Sequence, residues 1–250
     1  MTTEVSNNNN NNIHIHDTPS DFKSKESDER EQIKIKKYID HIFYINLEKR
    51  KDRREHIENL LKDHDLFDIS ERYIAIETPD SGIIGCSQSH LNVLKLAKER
   101  RYKNVLILED DFTFLVTKQE LESKIKYLFE NYSNYDVCML SHIIQKSCEI
   151  PEDERETLRD SSQEQILRKV LNGQTASGYL VNSKFLDRLI CLYEWSCPLL
   201  ETTNHHWLYA NDMVWKGLQP ENRWYYFIPS LGKQIDSYSD NKQCFSTYNS

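Results

Sequence analysis

Three consecutive carboxylates, Glu109, Asp110 and Asp111, directly follow the short apolar run 105–108. Such a run is typical of a buried β-strand, and like charges side by side are costly to bury unless a positive charge compensates them. Mg²⁺ and Mn²⁺ prefer carboxylates, water and phosphates as ligands. The stretch therefore indicates a divalent-cation site at the end of a strand, with a solvated acidic turn as the alternative.

A basic turn follows the first apolar run, 42–47, and carries Arg50 and Arg53. Apolar residues then recur at helical spacing, and Asp52 is a plausible cap for that helix. Ligands of open α/β sheets bind beyond the carboxyl ends of the strands, where guanidinium groups suit a nucleotide phosphate. The alternative is a solvated, charged first turn of a helix.

Two further segments contain residues that could do chemistry. Segment 85–90 is predicted to open a helix, with Ser87 or Ser89 as cap and His90 in the first turn, where a lone histidine is more often structural than catalytic. Segment 201–215 mixes aromatic side chains with Asp212. That mixture is typical of sugar sites, although any single aromatic residue more often fills a core.

The elements that must position these residues alternate between strand and helix. Short apolar runs at 42–47, 73–76, 105–108, 135–140 and 224–228 are predicted strands, and amphipathic helices are predicted between several of them. This alternation predicts an α/β domain, 39–250, with a mostly parallel sheet flanked by helices on both faces. Residues 1–38 are Asn-rich and charged and are predicted to be a disordered tail.

Composition limits the function classes. The 250 residues carry a net charge of −8 and 38% hydrophobic residues, an acidic balance that argues against a nucleic-acid partner. The sequence has no apolar run long enough to span a membrane and no apolar signal core, which predicts a cytoplasmic protein. Six cysteines without C-x-x-C spacing indicate reduced thiols rather than metal ligands.

Three motifs occur in compact order: Ile45-Asn46-Leu47 with Arg50 and Asp52-Arg53-Arg54, then Gly85-Cys86 with Ser89-His90, then 106–112 with the acidic triplet. In this order they resemble glycosyltransferase family 25, which includes lipopolysaccharide-biosynthesis galactosyltransferases and procollagen galactosyltransferases. Weaker matches follow at Tyr135-Asp136, 175–180, Asp212, Gln234 and Ser239-Asp240. Ala210 stands two positions before Asp212, where the family usually has proline, and Glu77-Thr78 replaces a usual Asp-Gly.

The resemblance implies a GT-A fold and an inverting transfer of a hexose, galactose or glucose, from a UDP-sugar to a hydroxyl of a glycan or protein, with Mn²⁺ or Mg²⁺ as cofactor. A homo-oligomer is possible. Asp212 would be the catalytic base, and the metal ligands would be Glu109, Asp111 and Asp240, with Asp236 as an alternative to Asp240. The nucleotide-sugar would contact Asn46, Leu47, Arg50, Arg53, Ala75, Thr78, Ser89, His90 and Asp110.

Two other functions stay open at this point. A sugar nucleotidyltransferase also uses paired acids at a strand end, but it would normally carry a Gly-rich loop with Lys or Arg after the first strand, and this sequence has none. A catalytically inactive module that binds a nucleotide-sugar or a glycan would keep the same residues without turnover.

Overall fold

A computed structural model of the chain describes residues 35–79, 81–156, 166–239 and 244–246. The described residues belong to one compact unit. The proposed tail, residues 1–38, lies almost entirely outside them, so its boundary with the domain stays a prediction.

The helices are α1 (Lys51–Asp63), α2 (Gly82–Glu99), α3 (Lys118–Asn131), α4 (Ser183–Thr203), α5 (His206–Tyr209) and α6 (Asn211–Val214). The strands are β1 (His41–Asn46), β2 (Ser70–Ile74), β3 (Asn104–Glu109), β4 (Phe112–Phe114), β5 (Val137–Met139), β6 (Ile143–Cys148), β7 (Leu167–Gln174), β8 (Gly178–Asn182), β9 (Trp224–Phe227), β10 (Gly232–Gln234), β11 (Ser237–Ser239) and β12 (Cys244–Ser246). Short 3₁₀ turns occur at Ile35–Lys37, Phe67–Ile69, Glu152–Glu154 and Trp215–Gly217.

The main sheet has the strand order β2-β1-β3-β8-β5-β9-β7-β6. β1 pairs in parallel with β2 and β3, and β5 pairs in parallel with β9. The antiparallel pairings of β8 and β7 leave these two strands pointing one way while the other six point the opposite way. The predicted α/β architecture with a mostly parallel sheet is therefore confirmed.

Two apolar cores cover the two faces of this sheet. Leu106 and Leu108 of β3 pack with α1 and α3, whereas Val105 and Ile107 pack with α2 and α4. Successive strand side chains point to opposite faces, so a central strand covered on both sides must be apolar throughout. This explains why the run 105–108 is uninterrupted, and it confirms the prediction of helices on both faces.

Several local predictions were wrong. α2 begins at Gly82, so Ser87 and Ser89 lie within the helix rather than capping it, and His90 lies in its third turn. The second strand lies at Ser70–Ile74 rather than at 73–76, and β7 was not predicted. The run at 224–228 forms β9, but β10, β11 and β12 follow it and were not predicted. β10 pairs with β4 outside the main sheet, a contact that local periodicity does not encode.

Within the described ranges, no helix is both long enough and apolar enough to cross a membrane.

Candidate active site

The acidic triplet lies where β3 ends, beside the end of its parallel neighbour β1. Ile45 is opposite Glu109 in the register of the two strands, which brings Asn46 next to Asp110. Asp110 and Asp111 are only 6% and 4% exposed. Asp110 and Asp111 are thus buried and Glu109 is largely buried at the carboxyl edge of the sheet, rather than lying in a solvated turn.

Asp110 is held by two partners from the first strand–helix unit. Asn46 donates from Nδ2 to one carboxylate oxygen at 2.7 Å, and Arg53 donates from Nη1 to the other at 3.0 Å. Burial raises the pKa of Asp110 and the Arg53 charge opposes that rise, with the pKa remaining above its usual value. Because both oxygens are occupied, Asp110 links the two strand ends.

The negative charge of Asp111 is less well compensated by its neighbours than that of Asp110. Its carboxylate lies 3.2 Å from Arg53 Nη1, and Gln234 Nε2 donates to its two oxygens at 3.3 and 3.4 Å. Burial first, and the charge of Glu109 second, raise the pKa of Asp111 to about 7. A carboxyl with this pKa is costly to ionise in the folded protein.

Glu109 is connected to the interior by a hydrogen-bonded chain. His90 is fully buried, with Nε2 at 3.1 Å from Glu109 Oε1 and Nδ1 at 2.9 Å from the Tyr179 hydroxyl. The Cys86 thiol donates to the same Oε1 at 3.6 Å. Burial is the largest single effect and disfavours ionisation of Glu109, but the contacts with His90, Cys86 and Arg53 together outweigh it, and the pKa of Glu109 lies below its usual value. His90 therefore fixes the orientation of the Glu109 carboxylate from the interior of the domain.

The Phe112 ring fixes the backbone immediately after the acids. A Cβ atom at Gly178 would lie 2.4 Å from this ring, and one at Gly232 would lie 2.2 Å from it. Only glycine leaves room for the ring at both positions. The ring is fully buried between β8 and β10, so the orientation of the acidic turn depends on these strands.

Asp212 approaches the cluster from the C-terminal half of the chain. Its Oδ2 accepts the Thr175 backbone N–H at 3.1 Å. Thr175 has φ 89°, a strained region for a non-glycine residue that is often seen at functional sites. Burial raises the pKa of Asp212; the Thr175 N–H lowers it, and the charge of Glu109 raises it further. Asp212 is thus a carboxyl of raised pKa within the electrostatic reach of Glu109.

The segment after β2 packs closely on α2. A Cβ at Gly85 would lie 2.1 Å from the Ile76 carbonyl oxygen, so glycine is required for this approach. Ser89 accepts the Ile76 N–H at 2.9 Å, Thr78 accepts the Gly85 N–H at 3.0 Å, and Ala75 donates its N–H to Asn46 at 3.0 Å. Ser89 is fully buried. These contacts position β1 and α2 around the site, and direct contact of Ala75, Thr78 and Ser89 with a ligand stays a prediction.

Leu47 and Arg50 form the turn between β1 and α1, where the Arg50 N–H donates to the Leu47 carbonyl at 3.0 Å. Asp52 does not cap α1, because it lies in the first turn and binds the Arg50 guanidinium at 2.7 and 3.0 Å. The hydrogen bonds from Arg50 lower the pKa of Asp52 to about 2. An anionic ligand at Arg50 would have to compete with this carboxylate.

The donor chemistry of the cluster fits a hard divalent cation. Glu109 and Asp111 offer carboxylate oxygens, which Mg²⁺ and Mn²⁺ prefer. Cys86, His90 and Glu109 also converge, with ligand atoms within 4.8 Å of one another. However, burial raises the pKa of Cys86 well above its usual value, so the neutral thiol acts as a donor to Glu109 rather than as a thiolate ligand. Asp240 lies outside the described residues.

The structure brings together Asn46, Arg53, Glu109, Asp110, Asp111 and His90 by direct contacts, and it places Asp212 within the field of Glu109. Sequence reasoning missed Cys86 and Tyr179 as partners of this cluster. The four-residue spacing of Cys86 and His90 puts them on one helix face, and this spacing could have indicated Cys86 from the sequence. The sequence carried no comparable signal for Tyr179, because its role depends on β8 lying beside β3.

The acids and the guanidinium lie beyond the strand ends of a mixed sheet, which is the edge where open α/β domains generally bind their ligands. The family model described as glycosyltransferase family 25 (LPS biosynthesis protein) matches residues 77–203, just over half of the chain. The chain belongs to glycosyltransferase family 25.

A Drosophila melanogaster protein named Glycosyltransferase 25 family member is 30% identical over 134 residues, with 44% of this chain and only 22% of that relative covered. A solved glycosyltransferase involved in glycosylation of the major capsid of PBCV-1 is 10% identical, with 81% of this chain and 95% of the other covered and a TM-score of 0.49. This structural likeness carries no information about the activity of the present chain.

Proposed function

We propose that this chain is a metal-dependent, inverting glycosyltransferase that moves a hexose from a UDP-sugar to a hydroxyl of a glycan or protein. The observation that carries the proposal is the charge of the buried cluster. Glu109, Asp110 and Asp111 supply three negative charges when ionised, and Arg53 supplies one positive charge through its contacts at 3.0 and 3.2 Å. The remaining charge of −2 matches one divalent cation.

Glu109 and Asp111 are the proposed metal ligands. The raised pKa of Asp111 supports this assignment, because a nearby cation would relieve the cost of ionising that carboxyl. When bound, the cation supplies Lewis-acid stabilisation of the diphosphate charge that grows as the glycosidic bond breaks. Asp110 ties Arg53 to Asn46, and His90 holds Glu109 in a fixed orientation. Asp240 stays a proposed third ligand on the resemblance alone.

Asp212 is the proposed general base. Inversion by direct displacement needs a group that takes the proton of the acceptor hydroxyl, and a raised carboxyl pKa makes a stronger base at neutral pH. The Thr175 N–H holds Oδ2, while Oδ1 accepts no hydrogen bond from the described residues. The free oxygen leaves a position for the acceptor hydroxyl.

The test measures release of UDP from a panel of UDP-sugars with and without Mn²⁺, first without acceptor and then with saccharide acceptors. Binding of UDP is followed in parallel by thermal shift. We expect Mn²⁺-dependent UDP release, its loss in Asp111→Asn, and retained UDP binding with lost transfer in Asp212→Asn. Asp187→Asn is the matched control, because this exposed carboxylate pairs with Lys98 on the surface.

The outcomes separate the competing functions. Binding of UDP-sugars without turnover on any acceptor would identify an inactive binding module, and release of pyrophosphate from a sugar phosphate and UTP would identify a nucleotidyltransferase. Turnover that is unchanged by chelation and by Asp111→Asn would reject the proposed role of the acidic cluster.

A further inference from the structure

An aromatic surface is formed by α5, by His205 just before it, and by Trp195 of α4. Trp195, Trp207 and Leu208 are 57%, 54% and 52% exposed, whereas Trp215 and Trp224 are fully buried. Trp195 packs edge-to-face against Tyr209 with ring centroids 5.9 Å apart, and the rings of His205 and His206 lie 4.8 and 5.1 Å from that of Trp207. We call this surface the aromatic platform; it comprises Trp195, His205, His206, Trp207, Leu208 and Tyr209.

The platform is continuous with the segment that carries Asp212. Ala210 is the one residue between α5 and α6, and its N–H donates to the His206 carbonyl at 3.0 Å. The first residue of α6, Asn211, donates its N–H to the buried Ser87 hydroxyl at 3.2 Å, next to Cys86 in α2. Two residues separate Tyr209 from Asp212, so their Cα atoms are at most about 11 Å apart. A saccharide that contacts the Tyr209 end of the platform therefore lies within one or two sugar rings of that residue.

The size of the platform favours a small ligand over a second copy of the chain. Two half-exposed indoles and one leucine offer on the order of 350 Å² of apolar surface. A stable protein interface buries about 800 Å² from each partner, of which roughly 450 Å² is apolar. A dimer through this surface alone would be too small to persist.

The surrounding charge favours a neutral, hydroxyl-rich ligand over an anionic lipid surface. Glu201, Thr202, Thr203 and Asn204 border the platform and are exposed. Glu194, one residue before Trp195, pairs with Lys95 at 2.8 Å. Residues 194–209 contain no lysine or arginine to bind anionic headgroups, while carboxylate, hydroxyl and amide groups form hydrogen bonds with sugar hydroxyls.

We propose that the aromatic platform is an acceptor subsite that binds a neutral saccharide, with Trp195 and Trp207 stacking on the apolar faces of its rings and one hydroxyl directed to Asp212. This inference rests on the proposed glycosyltransferase function and names the class of its acceptor. The platform residues are positioned to set acceptor specificity and have no role in binding the donor.

The experiment uses the full chain and a printed array of neutral oligosaccharides, without donor or metal. The saccharide with the strongest signal is then titrated while tryptophan fluorescence is recorded, and its KM is measured in the transfer reaction. Trp195→Ala and Trp207→Ala are compared with Phe67→Ala, an apolar side chain 39% exposed in a 3₁₀ turn outside the platform. Loss of one stacking contact is expected to weaken saccharide binding about tenfold.

The expected result is a weaker saccharide affinity and a higher acceptor KM in both tryptophan variants, with Mn²⁺-dependent UDP binding and acceptor-independent UDP release unchanged. Equal saccharide binding by the wild-type chain and the Trp195→Ala, Trp207→Ala double variant would overturn the proposal, as would the absence of any bound saccharide. It would also be overturned if the tryptophans instead governed dimerisation in sedimentation or binding to phosphatidylglycerol vesicles. Saccharide binding without UDP-sugar turnover would refute the proposed function while leaving the subsite standing.

Discussion

Replacing Asp111 by asparagine should stabilise the metal-free protein at neutral pH. The pKa of this carboxyl is raised from 3.8 to about 7, first by burial and then by the Glu109 charge. The folded state therefore binds the proton more tightly than the unfolded state, and ionisation destabilises the fold. This destabilisation is absent below the unfolded pKa, grows as the pH rises from 3.8 to about 7, and is complete above that range.

The magnitude follows from the size of the pKa change. A difference of about 3 pKa units at about 1.4 kcal/mol each gives roughly 4 kcal/mol at pH values above 7. Asparagine approximates the protonated side chain in size and keeps an oxygen acceptor for Gln234. We therefore expect Asp111→Asn to raise the free energy of unfolding by up to about 4 kcal/mol near pH 8, with little difference near pH 4.

The assay is urea denaturation from pH 4 to pH 8 in the presence of a chelator, followed by circular dichroism. Asp187→Asn, which removes an exposed acid, serves as the control and should parallel the wild-type curve. The reasoning is refuted if Asp111→Asn is no more stable than wild type at pH 8, or if the difference between the two does not grow with pH. Adding Mn²⁺ should then stabilise the wild-type protein more than the variant.

Two further substitutions test the contacts that hold the acidic residues in place. Gly178→Ala would place a Cβ 2.4 Å from the Phe112 ring and should lower the free energy of unfolding by about 1–3 kcal/mol in the same urea titration. Gly217→Ala is the control, because open space surrounds the new methyl group, and it should change the free energy of unfolding little. His90→Gln should weaken Mn²⁺ binding by about 10–100-fold in calorimetry, because Glu109 loses the imidazole that orients it and that most strongly opposes the effect of burial on its pKa. An unchanged Mn²⁺ affinity in a correctly folded His90→Gln protein would contradict this role.

The sequence indicated much of the fold because local rules and tertiary packing agree there. The run 105–108 is apolar throughout because both sheet faces are covered, and the helix after the first strand follows its 3.6-residue spacing. The sequence did not indicate β7, and it did not indicate that β8 runs antiparallel to its neighbours, because an antiparallel strand inserted between parallel ones depends on long-range pairing. The start of α2 was misplaced, since its first residues are glycine and isoleucine and Ser81 makes no side-chain cap.

By itself, the sequence determined which side chains could bind a cation and an anion, because residue type fixes charge and donor chemistry. The tertiary structure alone decided that Arg53 reaches Asp110 and Asp111, that His90 faces inward to Tyr179 and Glu109, and that Trp195 packs against Tyr209. Burial and distance set the pKa of each acid, and both depend on which strands lie side by side. The sequence shows that a carboxylate is present, but its ionisation becomes costly only because the fold buries it away from water.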